Sequence, residues 1–408
     1  MDTLAAPLDP HGGRDGQPLV TVFLRDLRGG GAERMMLNLA AGMQAQGVAV
    51  ELVATVAEGE LLDVVPAGVP LIVLDRGSTL ASIVPLARYL RRRRPAALLA
   101  SQMHINAAAL LAGALARSGT RIVVSERATA ATEQKDARGL GVKLAHRMVP
   151  FIYPRAHGLI AVSAGVADDK AAFSRVPRGR FHVINNPVVT DDFPRRWDAP
   201  VDHPWFAPGM PPVVLGVGRL HPVKDFGLLI DAVARLRSDR DVRLVILGEG
   251  DERAGLEAQV RARGLAGAVS LPGFVIDALP YMRRAAVLAL SSRREGSPNV
   301  LVEAMACGTP VVATDCPHGP REILEPGAYG PLVPVGDEGA LAQALAGVLD
   351  APPDRARLQA RAGDFSIQAA SVGYLDVLVP GWRLVPGQPA WQAGPQAAEV
   401  ACHGTERT

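Results

Sequence analysis

The sequence predicts an α/β protein with parallel sheets in two domains. Short apolar runs alternate with segments of helical periodicity along the chain, which is typical of strands joined by crossover helices. The chain has 408 residues, too many for one hydrophobic core, and suits two domains of roughly 150 to 200 residues each. Residues 191–210, dense in proline, aspartate and tryptophan, separate two series of apolar runs and are the predicted linker.

Twelve apolar runs have the length and composition of buried strands. The first series lies at residues 19–24, 48–54, 71–74, 97–100, 121–125, 159–162 and 181–184. The second series lies at residues 213–216, 243–247, 268–271, 287–290 and 311–313. Because ligands of parallel sheets gather at the carboxyl ends of strands, the loops that follow these runs are where functional residues are expected.

One helix start is especially informative, in the segment SSRREGSPNVLVEAMACGTPVVATD at residues 291–315. The apolar run before it has strand character. Ser297 is suited to cap a helix and Pro298 to occupy its first position. Gly308 and Pro310 then end that helix. The segment therefore predicts a strand, a loop and a short apolar helix.

Two glutamates bracket this helix start. Glu303 is predicted two turns inside the helix among apolar neighbours, where a carboxylate needs hydrogen-bond donors such as the two hydroxyls of a ribose. Glu295 lies in the loop before the helix N-terminus, whose free N–H groups and positive dipole end attract phosphate. The pair predicts a nucleotide-sugar site in which Glu303 holds the ribose and Glu295 faces the sugar.

Six motifs, in the same order, resemble the retaining glycosyltransferases of family 4. They are GGGAER at residues 29–34, VGRL with KDF at residues 217–226, LGEG at residues 247–250, PGF at residues 272–274, the segment at residues 291–315, and CPHGPREIL at residues 316–324. The resemblance spans roughly residues 20–370. It implies the GT-B architecture, in which two Rossmann-like domains with parallel sheets face a central cleft.

The resemblance also implies a domain division. Residues 1–195 would form the acceptor-side domain and residues 211–365 the nucleotide-sugar-binding domain. Residues 366–380 would form a helix that crosses back onto the first domain. The Gly/Pro/Gln-rich residues 381–408 are predicted to be a flexible tail.

Two basic residues follow the first strand of the second series. Arg219 and Lys224 can each reach a pyrophosphate whose charge grows as the sugar leaves, and would stabilise the leaving group. Asn299 and Val300, at the helix N-terminus, offer backbone donors to the same phosphates. Gly296 completes the predicted substrate-binding residues of this loop.

In the first domain, the resemblance places Gly30 and Gly31 beside the donor phosphates or the acceptor hydroxyl; a tight turn is the alternative interpretation. His104 follows a strand and is predicted to touch the transferred sugar, or else to be a structural hydrogen-bonding residue. Glu126 ends the next strand and could bind the acceptor, orient His104 or pair with Arg127.

The resemblance implies transfer of a hexosyl or N-acetylhexosaminyl unit from a nucleoside diphosphate sugar, with UDP expected as the nucleotide, to a glycan or lipid-linked acceptor hydroxyl with retained configuration. No metal or other cofactor is expected, because Arg219, Lys224 and a helix dipole can take the role of a cation. His318 stands where serine is common in relatives that use UDP-N-acetylhexosamine or UDP-galactose, which leaves the sugar open. Glu322 is interpreted as holding a loop through Arg321.

Composition sets limits on partners and location. The formal charge of +2 gives no case for nucleic acid as a partner. Three cysteines without metal-ligand spacing, no signal-peptide pattern at residues 1–18 and no apolar run of membrane-spanning length together predict a cytoplasmic protein. Residues 140–155 mix basic and apolar side chains, so peripheral contact with an anionic membrane is expected there, with a solvated face as the alternative.

Three other functions can be weighed against the residues of this sequence. A nicotinamide dehydrogenase needs glycine at the third position of Gly-x-Gly-x-x-Gly, whereas His221 stands there after Gly216 and Gly218. A non-catalytic nucleotide-sugar binding protein would not need the predicted catalytic residues. The presence of Glu295, Glu303, Arg219 and Lys224 therefore argues against it. A sugar-nucleotide epimerase shares the architecture, but the motif from Glu295 to Glu303 favours transfer.

Overall fold

The computed structural model describes residues 17–28, 31–130, 133 and 140–384. Within these residues the strands form two parallel sheets, one of seven strands and one of six. Most strand residues are buried, as expected for parallel sheets whose two faces are covered by helices. The structure confirms the predicted α/β fold with two parallel sheets, and all twelve predicted strands are present.

The first sheet contains the seven strands of the first series: β1 (Leu19–Leu24), β2 (Ala49–Ala54), β3 (Leu71–Val73), β4 (Ala97–Ser101), β5 (Arg121–Glu126), β6 (Gly158–Ala161) and β7 (Phe181–Val183). The second sheet contains six strands: β8 (Val213–Val217), β9 (Arg243–Leu247), β10 (Val269–Gly273), β11 (Val287–Leu290), β12 (Val311–Thr314) and β13 (Leu332–Val333). The sequence did not predict β13. It has two residues, of which only one is fully buried, so it lacks the apolar run that marks a strand.

The described helices connect and cover these strands. They are α1 (Gly31–Ala45), α2 (Ile83–Arg93), α3 (Met103–Ala116), α4 (Leu140–Ile152), α5 (Ala164–Ser174), α6 (Phe193–Trp197), α7 (Phe226–Leu236), α8 (Arg253–Ala262), α9 (Leu279–Arg284), α10 (Asn299–Ala306), α11 (Pro320–Leu324), α12 (Glu338–Asp350), α13 (Arg355–Gly363) and α14 (Ile367–Leu378). None of the helices in the described part of the chain combines the length and apolar composition needed to cross a membrane.

The strand order creates one crevice in each sheet. The orders are β3-β2-β1-β4-β5-β6-β7 and β10-β9-β8-β11-β12-β13. In the first sheet the order reverses between β1 and β4, and in the second between β8 and β11. The loops that leave the two strands at such a reversal diverge at their carboxyl ends, which is where ligands of open parallel sheets bind. The predicted residues Arg219, Lys224, Glu295 and His104 lie on these loops or directly after them.

The last helix of the described chain packs on the first sheet, after the second sheet is complete. The N–H groups of Val188 and Val189 both donate to the Phe365 carbonyl. The chain therefore leaves the second domain beside the segment through which it enters that domain. Helix α14 then contacts α1, and the hydroxyls of Tyr374 and Ser125 hydrogen-bond at 2.8 Å. Tyr374 and Leu375 are fully buried there.

The segment interpreted as a linker is packed against the second domain. Helix α6 lies within residues 191–210, and its Phe193 joins the apolar core of the second sheet. Arg196 of the same helix makes two hydrogen bonds to the carboxylate of Asp277, at 2.8 and 3.2 Å. Residues 191–210 therefore contain a short helix that is attached to the second domain, as well as the change of domain.

Candidate active site

Two of the residues predicted to be catalytic meet directly at the crevice of the second sheet. Lys224 lies in the loop after β8, and its Nζ is 2.7 Å from Oε1 of Glu295 in the loop after β11. Ser292 Oγ donates to the same carboxylate oxygen at 2.6 Å. The side chains of Lys224 and Glu295 are 22% and 11% exposed, so this pair is partly removed from water yet still open to a ligand.

The two loops are fastened to each other by three further interactions. Ser291 Oγ donates to the Lys224 carbonyl at 2.8 Å, and the N–H of Arg293 donates to the Val223 carbonyl at 2.8 Å. The guanidinium of Arg293 pairs with Asp225 at 2.8 Å. These contacts hold the backbones of the two loops together, so that the side chains of Lys224 and Glu295 stand on a fixed frame, as a preorganised electrostatic site requires.

Arg219 stands in the same loop as Lys224 but has no hydrogen bond or ion pair with the residues that the structure describes. Its side chain is exposed. The backbone around it is fixed, because the N–H of Leu220 donates to the Glu249 carbonyl at 2.9 Å and the N–H of Gly218 donates to the Leu247 carbonyl at 3.0 Å. A cation without a partner on a fixed backbone is available to an anionic ligand.

Glu303 is the fifth residue of α10, slightly more than one turn inside it rather than two. It is half-buried, and no hydrogen bond to its carboxylate comes from the described residues. Burial raises the pKa of Glu303, while the positive charges of Arg34 and Arg196 oppose the rise. A carboxylate in this environment still has acceptor capacity for two hydroxyl donors.

The start of α10 differs from the prediction. Pro298, not Ser297, is the residue before the first helical position, and no side chain caps the helix. The N–H groups of Asn299 and Val300 cannot pair within the helix because they lie in its first turn. The Asn299 side chain accepts a hydrogen bond from Asn186 of the first domain at 2.8 Å. The helix ends as expected, since Cys307 caps it and Gly308 has a φ of 71°.

A cavity of about 600 Å³ lies between the two domains beside α10. Ser297 and Asn299 contribute from the second domain, and the first domain supplies the other walls. The first-domain lining consists of Arg25, Gly31, Ala32, Met35, Gln102, His104, Arg127, Ala128, Glu133, Val142, His146 and Asn186. Arg219, Lys224, Glu295 and Glu303 do not line this cavity, which borders the second domain only at the start of α10.

His104 lines this cavity near the start of α3. Its Nε2 atom is buried and has no hydrogen-bond partner among the described residues. Burial, together with the charges of Arg25 and His146, lowers the pKa of His104 to about 4. The ring is therefore neutral near pH 7 and presents an unsatisfied nitrogen close to the cavity, as a ligand-contacting residue would.

The glycine-rich loop is only partly covered by the structure. Gly30 lies outside the described residues. Gly31 begins α1 and lines the cavity, and a Cβ placed on it would meet no atom within 4 Å. The space beside Gly31 is therefore open, and its contact with substrate stays a prediction.

Glu126 does not reach the cavity, which corrects its interpretation as an acceptor-binding residue. It is fully buried and pairs with Lys170 at 2.5 Å rather than with Arg127 or His104. The Tyr153 hydroxyl donates to Glu126, and Asn106 Nδ2 donates to it at 2.8 Å. The signal that sequence reasoning missed is Lys170, which lies four residues after the buried Val166 on one helix face and therefore points inward.

Three cavity residues were not singled out from the sequence. Arg127 donates to Ser101 Oγ at 3.0 Å and to Asn186 at 2.5 Å, so its guanidinium is held at the cavity wall. Arg25 follows β1 directly and is about half exposed. Glu133 pairs with Lys170, and burial raises its pKa to about 7. Arg25 and Arg127 each directly follow a strand, so their positions in the sequence could have identified them as candidate site residues.

Gly296 contacts the first domain. Its carbonyl accepts a hydrogen bond from Ser163 Oγ at 2.8 Å, and a Cβ at this position would lie 2.4 Å from the Arg127 carbonyl oxygen. Gly296 therefore permits a close approach of the domains, and its predicted contact with substrate has no direct support in these interactions. Glu322 is also an interdomain residue and does not pair with its neighbour Arg321, which pairs instead with Asp315.

Two family models match the chain. Glycosyltransferase Family 4 matches residues 29–192, and Glycosyl transferases group 1 matches residues 211–351, so that the two ranges together cover more than half of the sequence. The chain belongs to the family 4 glycosyltransferases. The family resemblance inferred from the six motifs is confirmed, and each matched range contains the strands of one sheet, except that β1 precedes residue 29.

Two curated relatives of this glycosyltransferase come from bacteria. The lipopolysaccharide core biosynthesis glycosyltransferase LpsE of Rhizobium meliloti is 36% identical over 42% of this chain and 51% of its own length. The N-acetylgalactosamine-N,N'-diacetylbacillosaminyl-diphospho-undecaprenol 4-alpha-N-acetylgalactosaminyltransferase of Campylobacter jejuni is 30% identical over 53% of this chain and 59% of its own length. The chain thus spans between half and three fifths of these two curated relatives.

Solved structures with the same fold confirm the GT-B architecture of this glycosyltransferase. The apo form of the lipopolysaccharide outer core galactosyltransferase WaaB superposes with a TM-score of 0.68 at 18% identity, covering 88% of this chain and 98% of WaaB. Anabaena HepE in complex with UDP gives a TM-score of 0.68 at 19% identity, covering 89% of this chain and 99% of HepE.

Proposed function

We propose that this glycosyltransferase transfers a hexosyl or N-acetylhexosaminyl unit from a UDP-sugar to a hydroxyl of a glycan or lipid-linked acceptor, with retained anomeric configuration, in cell-surface polysaccharide synthesis. The observation that carries the proposal is the Lys224–Glu295 pair at the crevice of the second sheet, 2.7 Å apart. In a chain of a glycosyltransferase family, this pair would offer a cation to a diphosphate and a carboxylate to the sugar beside it.

The donor would lie along the carboxyl edge of the second sheet. Glu303 would accept hydrogen bonds from the two ribose hydroxyls, because its carboxylate has no donor among the described residues. Arg219 and Lys224 would bind the diphosphate, with the first N–H groups of α10 adding to the positive potential. The name of one structural neighbour records bound UDP, which supports uridine as the base.

In the proposed reaction the bond between the anomeric carbon and the diphosphate oxygen breaks, and the acceptor oxygen forms a new bond to the same face of that carbon. The departing phosphate would take the acceptor's proton. Lys224 and Arg219 would stabilise the negative charge that grows on the phosphate, and Glu295 would stabilise positive charge near the anomeric carbon. No metal is needed in this scheme, since the two cations and the helix N-terminus supply the positive charge.

The acceptor would enter through the cavity between the domains. Its wall carries His104 with an unsatisfied nitrogen and the exposed Arg25, which suits a hydroxyl-bearing ligand with an anionic group. The name of the Campylobacter relative includes a diphospho-undecaprenol acceptor, which supports a lipid-linked acceptor for this chain. Neither the linkage nor the transferred sugar follows from these residues.

A lipid-linked acceptor would require the protein to work at a membrane surface, and α4 offers such a surface. Leu144 and Phe151 of this helix are 54% and 69% exposed. Lys143 and Arg147 are exposed beside them. Apolar side chains flanked by cations are typical of helices that lie on anionic membranes. We propose peripheral association with the inner face of the cell membrane through this helix.

The proposed donor is tested by thermal unfolding of the full chain with UDP-, GDP- and ADP-sugars. A ligand that binds only the folded state raises the unfolding temperature. We expect a rise with a UDP-sugar and with UDP alone. A rise with only a GDP- or ADP-sugar would replace the uridine assignment, and no rise with any nucleotide sugar would contradict the proposed function.

A further inference from the structure

Helix α5 of the first domain has its N-terminus in contact with the second domain. Its first two N–H groups, on Ala164 and Gly165, donate to the two carboxylate oxygens of Glu322 at 2.6 and 3.0 Å. These N–H groups have no partner within their own helix, because the first turn of any helix lacks acceptors for them. A carboxylate is a favourable acceptor at this position, since the helix N-terminus carries partial positive charge.

Ser163, the residue before α5, ties the same point to the donor loop. Its hydroxyl accepts from the N–H of Val166 and so caps its own helix, and it also donates to the Gly296 carbonyl of the second domain at 2.8 Å. Gly296 directly follows Glu295 in the chain. One helix end therefore contacts both the loop that carries Glu295 and the helix that carries Glu322.

The second-domain side of this contact is rigid. Glu322 lies in the short helix α11, whose last carbonyls are held by Arg361: its guanidinium donates to the Glu322 carbonyl at 2.8 Å and to the Ile323 carbonyl at 3.0 Å. Ile323 is buried in the core of the second domain. The two hydrogen bonds to Glu322 therefore join two helices of different domains rather than two surface loops.

The shapes of the two surfaces also match closely. A Cβ built on Gly165 would lie 1.9 Å from Nδ1 of His318, so the His318 ring occupies the space that any larger residue at position 165 would need. The contact thus depends on a glycine at position 165 and on the placement of His318. The interaction combines a bidentate hydrogen bond with a close steric fit.

We propose that Glu322 is a positioning residue: by capping α5 from the other domain it sets the register between the domains and so places Glu295 opposite the acceptor cavity. This inference rests on the proposed function for its effect on turnover. The contact itself is independent of any substrate. Among the described residues, the Glu322 carboxylate accepts hydrogen bonds from Ala164 and Gly165 and has none with Lys224 or Glu295, so its effect on the reaction passes through the domain arrangement.

The first experiment measures amide hydrogen exchange in the full chain. In Glu322→Ala the N–H groups of Ala164 and Gly165 lose the acceptors they have among the described residues, and we expect their exchange to accelerate at least about tenfold. The matched control is Asp337→Ala, because Asp337 caps α12 within its own domain by accepting from the N–H of Ala340 at 2.8 Å. That control should leave exchange at Ala164 and Gly165 unchanged. Unchanged exchange in Glu322→Ala would overturn the inference.

The second experiment separates turnover from donor binding. We expect Glu322→Ala to lower kcat about tenfold or more while the Kd for UDP changes less than about twofold, because the donor loops lie entirely in the second domain. Glu322→Gln keeps one carbonyl acceptor and should recover part of the lost kcat. Equal losses of kcat in Glu322→Ala and Asp337→Ala would reduce Glu322 to a stability role. Failure of the wild-type chain to bind UDP would refute the proposed function and leave the exchange result standing.

A steric pair gives an independent check. Gly165→Ala places a methyl group against His318, and we expect kcat to fall although alanine is the better helix former. Because the Cβ of His318 would itself lie 2.9 Å from the new methyl group, the second substitution is His318→Gly. Adding it should restore kcat by vacating that space, and His318→Gly alone shows any separate effect of the ring. If the double variant is no better than Gly165→Ala, the close fit at this point does not control the domain register.

Discussion

Lys224 and Glu295 form a salt bridge that joins the loops after β8 and β11, with Nζ and Oε1 2.7 Å apart. The two residues lie 71 positions apart in the chain and meet only because these strands are neighbours in the sheet. In the absence of substrate each charge neutralises the other. A diphosphate that takes over Lys224 would leave Glu295 free to face the sugar, so substrate binding is expected to rearrange this pair.

Removing the two cations of the β8 loop should abolish most turnover. For Arg219→Ala with Lys224→Ala we expect kcat to fall by at least about a hundredfold, because one lost charge-stabilising contact typically costs a factor of roughly 10² to 10³. The measurement is steady-state transfer from a UDP-sugar. Arg240→Ala is the control, since Arg240 pairs with Asp350 on the second domain away from these loops. Wild-type turnover in the double variant would remove both residues from the mechanism.

Removing the Glu303 carboxylate should weaken donor binding without weakening the fold. Hydrogen bonds to a charged group contribute about 1.5 to 3 kcal/mol, so Glu303→Ala should raise the Kd for UDP by about ten- to a hundredfold. Its thermal stability should be kept, because the carboxylate is desolvated and has no hydrogen-bond donor among the described residues. Calorimetry with UDP measures the first effect. Glu257→Ala, in the exposed part of α8, is the control, and an unchanged Kd in Glu303→Ala would contradict the ribose assignment.

His104 should make the fold sensitive to acid. Its pKa is lowered from 6.5 to about 4 by burial, so the folded chain binds this proton more weakly than the unfolded chain. Lowering the pH through the window between these values therefore favours unfolding. We expect His104→Gln to lose less thermal stability than the wild type between about pH 7 and about pH 5. His182→Gln, at an exposed position, should lose as much stability as the wild type. If His104→Gln also loses as much as the wild type, His104 is not the cause of the acid sensitivity.

Removing only one partner of the buried ion pair between Lys170 and Glu126 should lower the free energy of unfolding substantially. Lys170→Met leaves the buried carboxylate of Glu126, and that of Glu133, without a counter-ion, and removing one partner of a buried pair typically destabilises a protein by about 3 to 5 kcal/mol. Adding Glu126→Gln should recover part of that loss. Denaturant unfolding measures both, and Lys143→Met provides an exposed-lysine control. Equal stability of Lys170→Met and the wild type would show that the pair adds little.

The sequence was sufficient for the fold and for one half of the site. Buried strands of parallel sheets are continuous apolar runs, so twelve of them were visible without any structure, whereas β13 has two residues and no such run. Lys224 and Glu295 were both singled out from their places in the loops after predicted strands, and the structure shows that these strands, β8 and β11, are neighbours. Local signals of this kind survive in the sequence because the geometry of a strand end fixes where the next residues lie.

The interdomain contacts were not predictable in the same way. Glu322 was assigned to its neighbour Arg321, although its partners are backbone N–H groups near residue 164, and a backbone donor leaves no trace in the sequence. For Glu126, the alternative to a contact with the acceptor or His104 was an ion pair with Arg127 or another neighbour, and the structure pairs it with Lys170. In both cases the partner lies far away in the sequence, where tertiary contacts decide the pairing.

Helix α4 provides the test of membrane association. Leu144→Asp with Phe151→Asp removes exposed apolar surface and adds negative charge, and should reduce co-sedimentation with phosphatidylglycerol vesicles by about tenfold, because insertion of apolar groups and attraction to anionic lipid both contribute. Vesicles of phosphatidylcholine alone should bind the wild type weakly, since Lys143 and Arg147 then lack an anionic partner. Leu115→Asp is the matched control, because Leu115 is 45% exposed on α3. Equal sedimentation of the α4 variant and the wild type would show that this helix does not contact the membrane, and binding to both vesicle types alike would remove the role of its cations.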